Sequence, residues 1–294
     1  MRVAVIDVGA NTLRLLVAEH HAGVTHPLEE DREQLGLGGE IEKTGRISDT
    51  KMKEAARVVE QFATRARSLG SARLDLLITS PGRQSENGEA FARALSEAAG
   101  SPARVLTSDE EGALAFLGAT AALEPAAGPA LVCDVGGGST QLVTGRPPRE
   151  VEWCRSLDIG SLRLTDRFAL DSDNVSGKAI LAAREEAERL VAELAVPAVE
   201  RAYVTGGTAR ALHKICGRLL TASEMEKAVQ LTVRLKPKQL AADYGLSRRR
   251  AERLLGGTLI MEAAQQHVGI PFEVAGGGIR EGAILALLEQ ALAA

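Results

Sequence analysis

Residues 131–145 read LVCDVGGGSTQLVTG, an apolar run followed by one aspartate, three glycines and two hydroxyl residues before apolar residues resume. Glycine adopts positive φ freely and lets backbone N–H groups approach a ligand closely. A glycine-rich turn between two strands can therefore cradle a phosphate group, and the Asp134 carboxylate at the strand end can hold a metal ion or a water molecule. The stretch equally fits an ordinary tight hairpin with an acidic residue at its edge.

The same pattern occurs a second time in the chain. Residues 3–17, VAVIDVGANTLRLLV, and residues 130–143, ALVCDVGGGSTQLV, each combine an apolar strand, Asp-Val-Gly, small residues, a threonine and another apolar strand. Repeated units of this kind indicate two similar halves. Each half is then expected to present an aspartate and a glycine turn to a common cleft.

Strands and helices alternate along the rest of the chain. Apolar spacing and capping residues predict helices over 48–69, 88–100, 109–123, 176–196 and 280–293. Strands are predicted over 74–80, 103–108, 201–207 and 272–278. The alternation around a duplicated hairpin predicts an α/β fold with mixed sheets flanked by helices. The stretch EPAAGP (124–129) is the expected hinge, which predicts domains over 1–124 and 125–294, with the last helix free to pack back on the first domain.

Further segments suit a phosphate site. VTGGTAR (204–210), which contains Gly207 and Thr208, and VAGGGIREG (274–282) each read as a strand, a glycine turn and a helix start. Backbone N–H groups at such a helix N-terminus can bind an anion, although the glycines could equally serve only to end the strand. Arg83 in ITSPGRQSEN (78–87) follows a strand end, where a guanidinium can bind phosphate oxygens bidentately.

Composition restricts the class of protein. The chain has 294 residues, 45% hydrophobic and 25% charged, and a net charge of −4, which argues against a nucleic-acid surface. Cys133, Cys154 and Cys216 have no metal-ligand spacing and indicate a reducing compartment. The N-terminus lacks the apolar core of a signal peptide, and no window approaches the ~20 apolar residues of a membrane span. We therefore expect a cytoplasmic protein that binds neither membrane nor nucleic acid.

Taken together, these motifs resemble those of the exopolyphosphatase/guanosine pentaphosphate phosphohydrolase family, which belongs to the actin–hexokinase–Hsp70 superfamily. IDVGANTLRLLV and CDVGGGSTQLV resemble its first and second phosphate motifs, and ITSPGRQSEN and SDEEGALAFLG resemble two further motifs. Matching segments follow in order to the end of the chain. The resemblance implies two ribonuclease-H-like domains, as in the actin-like ATPases, with the active site in the cleft between them.

The resemblance also implies an activity and the residues that perform it. Members of the family release the terminal phosphate of polyphosphate or the 5′ terminal phosphate of guanosine pentaphosphate, usually with Mg²⁺, and the motifs fit both substrates. Glu111 takes the place of the proposed base, with its neighbour Glu110 as the alternative. Asp7 and Asp134 fall near the metal and the attacking water, and Arg83 completes the catalytic set. The residues predicted to bind phosphate are Gly9, Asn11, Thr12, Gly136, Gly137, Gly138, Ser139, Gly207 and Thr208.

The chain departs from the family pattern at several positions. Gln141 stands where the family usually has a glutamate, which removes a carboxylate that would help to hold metal, and Gln34 and Gly112 also differ. Two other functions therefore stay open: a binding or sensor protein with weakened catalysis, and a kinase of the same superfamily that holds ATP in the same hairpins. Three acids in the first turn of the helix at 109–123 would also be favoured by the helix dipole alone. The motifs do not determine chain-length preference, and they are compatible with a homodimer without requiring one.

Overall fold

The first half of the chain forms a mixed sheet in the computed structural model, which describes residues 1–22, 24–124 and 128–292. Within these residues the sheet has the order β3-β2-β1-β4-β5. Its strands are β1 (Arg2–Val8), β2 (Thr12–His21), β3 (Val24–Gln34), β4 (Arg73–Ile78) and β5 (Ala103–Val105). The first three strands are antiparallel, whereas β4 runs parallel to β1 and β5 parallel to β4.

The second half repeats this arrangement and adds one strand. Its described strands have the order β10-β11-β9-β6-β7-β8, in which β6, β7, β8 and β9 take the places of β1, β2, β3 and β4. The strands are β6 (Ala130–Val135), β7 (Thr140–Arg146), β8 (Glu150–Leu157), β9 (Arg201–Thr205), β10 (Leu219–Leu220) and β11 (Phe272–Val274). As in the first sheet, β6 is antiparallel to β7 and parallel to β9. The central hairpin of each sheet is the duplicated sequence motif.

Helices cover both sheets and connect their strands. In the first half they are α1 (Leu37–Thr44), α2 (Asp49–Ser68), α3 (Ser80–Gln84), α4 (Gly88–Ala99) and α5 (Ser108–Thr120). In the second half they are α6 (Ser161–Phe168), α7 (Gly177–Ala192), α8 (Gly206–Cys216), α9 (Ala222–Arg234), α10 (Pro237–Asp243), α11 (Arg248–Glu252), α12 (Leu254–Val268) and α13 (Ile279–Leu292). The predicted fold class, mixed sheets flanked by helices, is confirmed. Among the described residues no helix combines the length and apolarity of a membrane-spanning segment.

Several predicted strands extend too far at their carboxyl ends. The strand predicted over 201–207 stops at Thr205, because Gly206 has a φ of 93° and begins α8. The strand predicted over 74–80 stops at Ile78, and Ser80 begins α3. The glycine and serine residues that follow these strands therefore lie in helix N-termini, where backbone N–H groups are free to bind an anion.

Two helices connect the halves by packing on opposite sheets. Phe116 of α5 is completely buried against Val132 and Val143 of the second sheet, whereas Ile284 of α13 packs on strands of the first sheet. The helices also contact each other closely, since a Cβ at Gly118 would lie 2.0 Å from the carbonyl oxygen of Gly278. Residues 125–127 of the expected hinge lie outside the described residues, and the division into domains at 124/125 stays a prediction.

Candidate active site

The two glycine turns have the same backbone geometry and face each other. Asp7 pairs with Arg14 in the first hairpin, and Asp134 pairs with Gln141 in the second. The Gly9 N–H donates to the Thr12 carbonyl at 3.1 Å, as Gly136 N–H does to Ser139 at 3.0 Å. A Cβ at Gly137 would lie only 3.4 Å from the Cβ of Asn11. The turns therefore touch and close one side of a cleft.

Most of the predicted site residues line this cleft, a cavity of about 110 Å³. They are Asp7, Gly9, Asn11, Thr12, Glu111, Asp134, Gly136, Gly137, Ser139 and Gly207. Arg83, Gly138 and Thr208 are not among the lining residues. A Cβ at Gly138 would lie 2.8 Å from Ser80 Oγ, and Thr208 is completely buried against Gly257 of α12. Gly138 and Thr208 thus pack behind the cleft, which differs from the phosphate contacts expected for them.

The paired glutamates at the start of α5 have different environments. Glu110 is exposed and forms a capping box, in which its Oε2 accepts from the Thr107 N–H at 2.8 Å. Those hydrogen bonds lower the pKa of Glu110. Glu111 is 4% exposed and lines the cleft, and burial raises its pKa to about 7. Only Glu111 is therefore presented to a ligand, with a pKa suited to proton transfer near neutral pH.

Arg83 contacts Glu111 and does not reach the cleft wall. Its Nη2 lies 2.6 Å from Glu111 Oε2, and its Nη1 donates to the Leu106 carbonyl at 2.7 Å. The positive charge opposes the effect of burial on the Glu111 pKa. The sequence led us to expect a guanidinium fork open to phosphate, whereas in the structure two protein acceptors already occupy it.

Asp7 and Asp134 lie one residue before the ends of the central strands β1 and β6, on either side of the cleft. Burial raises the pKa of both carboxyls, that of Asp134 to about 6, while Arg14 and Arg210 act in the opposite direction. The described residues contain no group of three His, Cys, Asp or Glu side chains able to hold a metal ion. Mg²⁺ is usually bound through one or two carboxylates, waters and substrate phosphates. The pair of carboxylates therefore fits Mg²⁺, which does not require a complete protein cage.

Four arginines that line the cleft were not predicted as site residues: Arg14, Arg210, Arg250 and Arg280. Burial and the neighbouring arginines lower the pKa of Arg14 to about 10 and that of Arg250 to about 9. Arg250 lies directly over Gly207, where any Cβ would overlap its guanidinium. A sequence signal was available for Arg14, Arg210 and Arg280, which occur in the quoted motifs as NTLR, GGTAR and GGGIR. Arg250 lies in the basic run SRRR (247–250).

Gln141 lies behind the second glycine turn and not on the cleft wall. It is completely buried, and its Nε2 lies 3.0 Å from Ser139 Oγ and 3.2 Å from Ser156 Oγ. Its Oε1 is buried without a hydrogen-bond partner in the described part of the chain. Gln141 therefore acts on the cleft through Ser139, whose hydroxyl it holds in place.

Comparison with known proteins identifies relatives along the full length. The chain is 29% identical over 308 aligned positions to exopolyphosphatase 1 of Mycobacterium tuberculosis, covering 99% of this chain and 89% of the relative. A crystal structure of the Aquifex aeolicus Ppx/GppA family member has a TM-score of 0.84 at 25% identity, covering 99% of this chain and 98% of that one. An exopolyphosphatase structure from Cytophaga hutchinsonii has the same fold, with a TM-score of 0.89 at 20% identity and the same coverage.

The sequence profile of the Ppx/GppA phosphatase family matches residues 16–291, which is most of the chain. This match agrees with the two-domain actin-like architecture of the structural neighbours and with the family resemblance of the motifs, which is confirmed. The chain is a hydrolase and belongs to the Ppx/GppA phosphatase family.

Proposed function

We propose that this enzyme is a Mg²⁺-dependent exopolyphosphatase, which releases the terminal phosphate of inorganic polyphosphate. The observation that carries the proposal is the position of Glu111, a buried carboxylate with a pKa of about 7 in a cleft between two glycine turns. Relatives named exopolyphosphatase align over nearly the whole chain, which supports the same substrate.

The chemistry follows from the groups that surround the cleft. Hydrolysis of a phosphoanhydride requires in-line positioning and stabilisation of charge on the transferred phosphoryl group. Glu111 accepts a proton from the attacking water as the water oxygen bonds to the terminal phosphorus. The anhydride oxygen then leaves with the shortened chain. Backbone N–H groups of the two turns and the cleft arginines hold the phosphate oxygens during this step.

Asp7 and Asp134 are the residues that would hold the metal ion. Both lie near the end of a central strand at the cleft and supply the hard oxygen ligands that Mg²⁺ prefers. When bound, Mg²⁺ neutralises part of the negative charge on the phosphoryl group. Arg14 and Arg210 favour the ionised state of these aspartates, which the ion requires.

Polyphosphate suits the cleft better than guanosine pentaphosphate. No aromatic side chain is among the described residues that line the cleft, so a guanine base would find no stacking partner there. The side chains are instead carboxylates, hydroxyls and arginines, which recognise phosphate. Hydrolysis of guanosine pentaphosphate is therefore the weaker of the two candidate activities.

The alternative function, a sensor protein with weak catalysis, is also disfavoured, because Glu111 is in place and Gln141 lies outside the cleft. A cytoplasmic location and a homodimer stay predictions.

The test is the release of phosphate from polyphosphate in the presence of Mg²⁺. We expect Glu111→Gln to lose activity by ~10²–10⁴-fold, the range of a general base, while it still folds and binds polyphosphate. Glu110→Gln is the matched control and should retain activity, because Glu110 only caps α5. Activity in both variants would refute the role of Glu111. Binding of polyphosphate by the wild-type protein without phosphate release would favour the sensor, and faster release from guanosine pentaphosphate would reverse the substrate order.

A further inference from the structure

Helix α5 carries Glu111 and rests on the sheet of the second half. Gly112, Phe116 and Ala119 lie on one face of the helix, because they are spaced three to four residues apart. Phe116 and Ala119 pack on the second sheet, and Gly112 is buried at the cleft end of the same face. Glu111 lines the cleft, since neighbouring residues of a helix point in directions about 100° apart. The contact of Gly112 with the sheet is therefore one residue away from the proposed base.

Gly112 lies directly over two cross-strand neighbours of the second sheet. Val143 on β7 pairs with Cys154 on β8. A Cβ at Gly112 would lie 2.6 Å from Cys154 Sγ and 2.9 Å from Val143 Cγ2. Ordinary contacts between side-chain atoms are about 3.5–4.0 Å long, so a methyl group here would require a displacement of roughly 1 Å. The absence of a side chain at Gly112 thus allows α5 to approach the sheet this closely.

Helix geometry alone does not explain the glycine at this position. Glycine in the interior of a helix is less favourable than alanine, because it loses more backbone entropy on folding. Gly112 has ordinary helical backbone, which any residue can adopt. The remaining reason is space, since Cys154 Sγ fills the room that an alanine methyl group would need.

Cys154 contacts the first turn of α5 at a second point. Its thiol is directed at the Ser108 carbonyl, with an Sγ–O distance of 4.0 Å. Burial and the nearby Asp109 carboxylate raise the pKa of the Cys154 thiol to about 12, so the thiol stays protonated at neutral pH. The sulfur therefore acts on the helix through its size and its contacts, and it brings no charge toward Glu111.

The sheet beneath α5 also carries the aspartate of the second hairpin. Val132 and Asp134 are two residues apart on β6, and side chains two apart in a strand face the same side of a sheet. Val132 packs in the cluster beneath α5. Asp134 therefore lies on the face that α5 covers. The height of α5 above this face sets the distance between Glu111 and Asp134 across the cleft.

We infer that Gly112 and Cys154 form a size-matched pair that positions Glu111 over the second sheet for proton transfer from the attacking water. The inference rests on the proposed function. Cys154 is a positioning residue, because it acts on Glu111 through the backbone of α5 and is not among the residues that line the cleft. The groups proposed to hold phosphate lie on the glycine turns and on other helices. A displacement of α5 should therefore affect the chemical step far more than substrate binding.

The first experiment adds the methyl group and then removes the sulfur. We expect Gly112→Ala to lower kcat for phosphate release from polyphosphate by roughly 10- to 100-fold with little change in KM, because a misplacement of about 1 Å can cost ~100-fold. The double variant Gly112→Ala/Cys154→Ala should recover most of this loss. Cys154→Ser in the Gly112→Ala background should recover less, since its oxygen fills much of the same space. Gly177→Ala adds a methyl group that would meet no atom within 4 Å, and this matched control should equal the wild type.

Three kinetic results would overturn the inference. They are a wild-type kcat in Gly112→Ala, a loss of kcat that persists unchanged in the double variant, and a rise in KM without a loss of kcat. Cys154→Leu enlarges the other member of the pair and should also lower kcat. This variant keeps the inference testable if Gly112→Ala does not fold, and a normal kcat in Cys154→Leu would then overturn it.

A crystallographic measurement separates this inference from the proposed function. Structures of the wild type, Gly112→Ala and the double variant give the distance between the Cα atoms of Glu111 and Asp134 without turnover. An increase of roughly 1 Å in Gly112→Ala that is reversed in the double variant would support the inference. This would hold even if the wild type hydrolysed no polyphosphate, a result that would refute the proposed function alone. An unchanged distance in Gly112→Ala would overturn the inference and leave the proposed function intact.

Discussion

The hairpin of β1 and β2 and the hairpin of β6 and β7 share their register and turn hydrogen bond, yet they carry different side chains. The first turn bears Ala10 and Asn11, and Arg14 follows on its second strand. The second turn bears only glycines, and neutral Gln141 occupies the register position of Arg14. The duplicated backbone thus supplies amide and guanidinium side chains on one side of the cleft, and backbone N–H groups with the Ser139 hydroxyl on the other.

The second turn packs closely against the chain that leads into α6. The Leu162 N–H at the start of α6 donates to the Gly137 carbonyl at 3.0 Å, and the Gly38 N–H of α1 makes the equivalent bond to Ala10 at 2.7 Å. The backbone of Gly160 presses directly on the second turn, since a Cβ there would lie 2.5 Å from the carbonyl carbon of Gly137. Equivalent hydrogen bonds therefore hold both turns, and within the second turn the most crowded position is Gly138, where a Cβ would lie 2.8 Å from Ser80 Oγ.

The largest expected effect tests whether the two aspartates are equivalent. We expect Asp7→Asn and Asp134→Asn each to reduce kcat/KM by at least ~100-fold, because each would remove one charged ligand from a metal that contributes several kcal/mol to the transition state. Phosphate release measured across a Mg²⁺ titration checks this. Near-normal activity in one of the variants would mean that the metal is held by one half alone.

The duplicated hairpins were predictable because their pattern is local. Apolar strands, an aspartate and glycines lie within about fifteen residues in each copy, and the helix containing Glu111 has its own capping signal. Strand β3 was not predicted, because VTHPLEEDREQ is largely exposed on both faces and lacks apolar alternation. This segment forms a strand because it pairs with β2, and its own sequence pattern does not indicate that pairing.

The arginine cluster was missed for a related reason. Arg14, Arg210, Arg250 and Arg280 are far apart in the sequence, and a single loop arginine carries little information. They meet only because β2, α8, α11 and α13 begin or run beside one cleft. Arg83 lies in the short helix α3, and its contact with Glu111 was not predicted, because that partner lies 28 residues further along the chain.

The next effect concerns the arginines that follow β4 and β9, the strands that pair in parallel with the central strand of each half. Arg83 follows Thr79 and contacts Glu111, whereas Arg210 follows Thr205 and favours the ionised form of Asp134. We expect Arg83→Ala to weaken transition-state binding by roughly 1.5–3 kcal/mol, the value of a charge-assisted hydrogen bond. Arg83→Lys should restore only part of this, because it lacks the bidentate fork.

The pH profile shows how Arg83 acts. Arg83 lowers the pKa of Glu111 from the value that burial alone would give, so its removal raises that pKa above about 7. Since the base must be deprotonated, the acid limb of the kcat/KM profile should move to higher pH in Arg83→Ala. A profile reduced in height without this displacement would indicate that Arg83 contacts the substrate directly and does not tune Glu111.

A smaller effect is expected from the packing difference between the turns. Gly160→Ala inserts a methyl group against the backbone of Gly137, and overpacking of this kind typically costs 1–3 kcal/mol of unfolding free energy. Gly177→Ala is the matched control, because its Cβ would meet no atom within 4 Å. Denaturant unfolding of both variants checks the prediction, and equal stability would show that the second turn can move away from α6.

The smallest effect concerns Gln141, the register equivalent of Arg14. Gln141→Glu would place a carboxylate beside Asp134. This carboxylate would not contact a metal ion held by Asp134, but its negative charge would attract the ion across the intervening residues. We expect the Mg²⁺ concentration for half-maximal activity to fall by a few-fold, because Coulomb attraction at this distance is only partly screened by the protein. The new carboxylate would be buried, and the like charge of Asp134 would raise its pKa, so the effect should grow as the pH rises. Gln141→Met controls for loss of the hydrogen bonds to Ser139 and Ser156. Superimposable Mg²⁺ titrations of Gln141→Glu and the wild type at high pH would mean that the second hairpin contributes to metal binding through Asp134 alone.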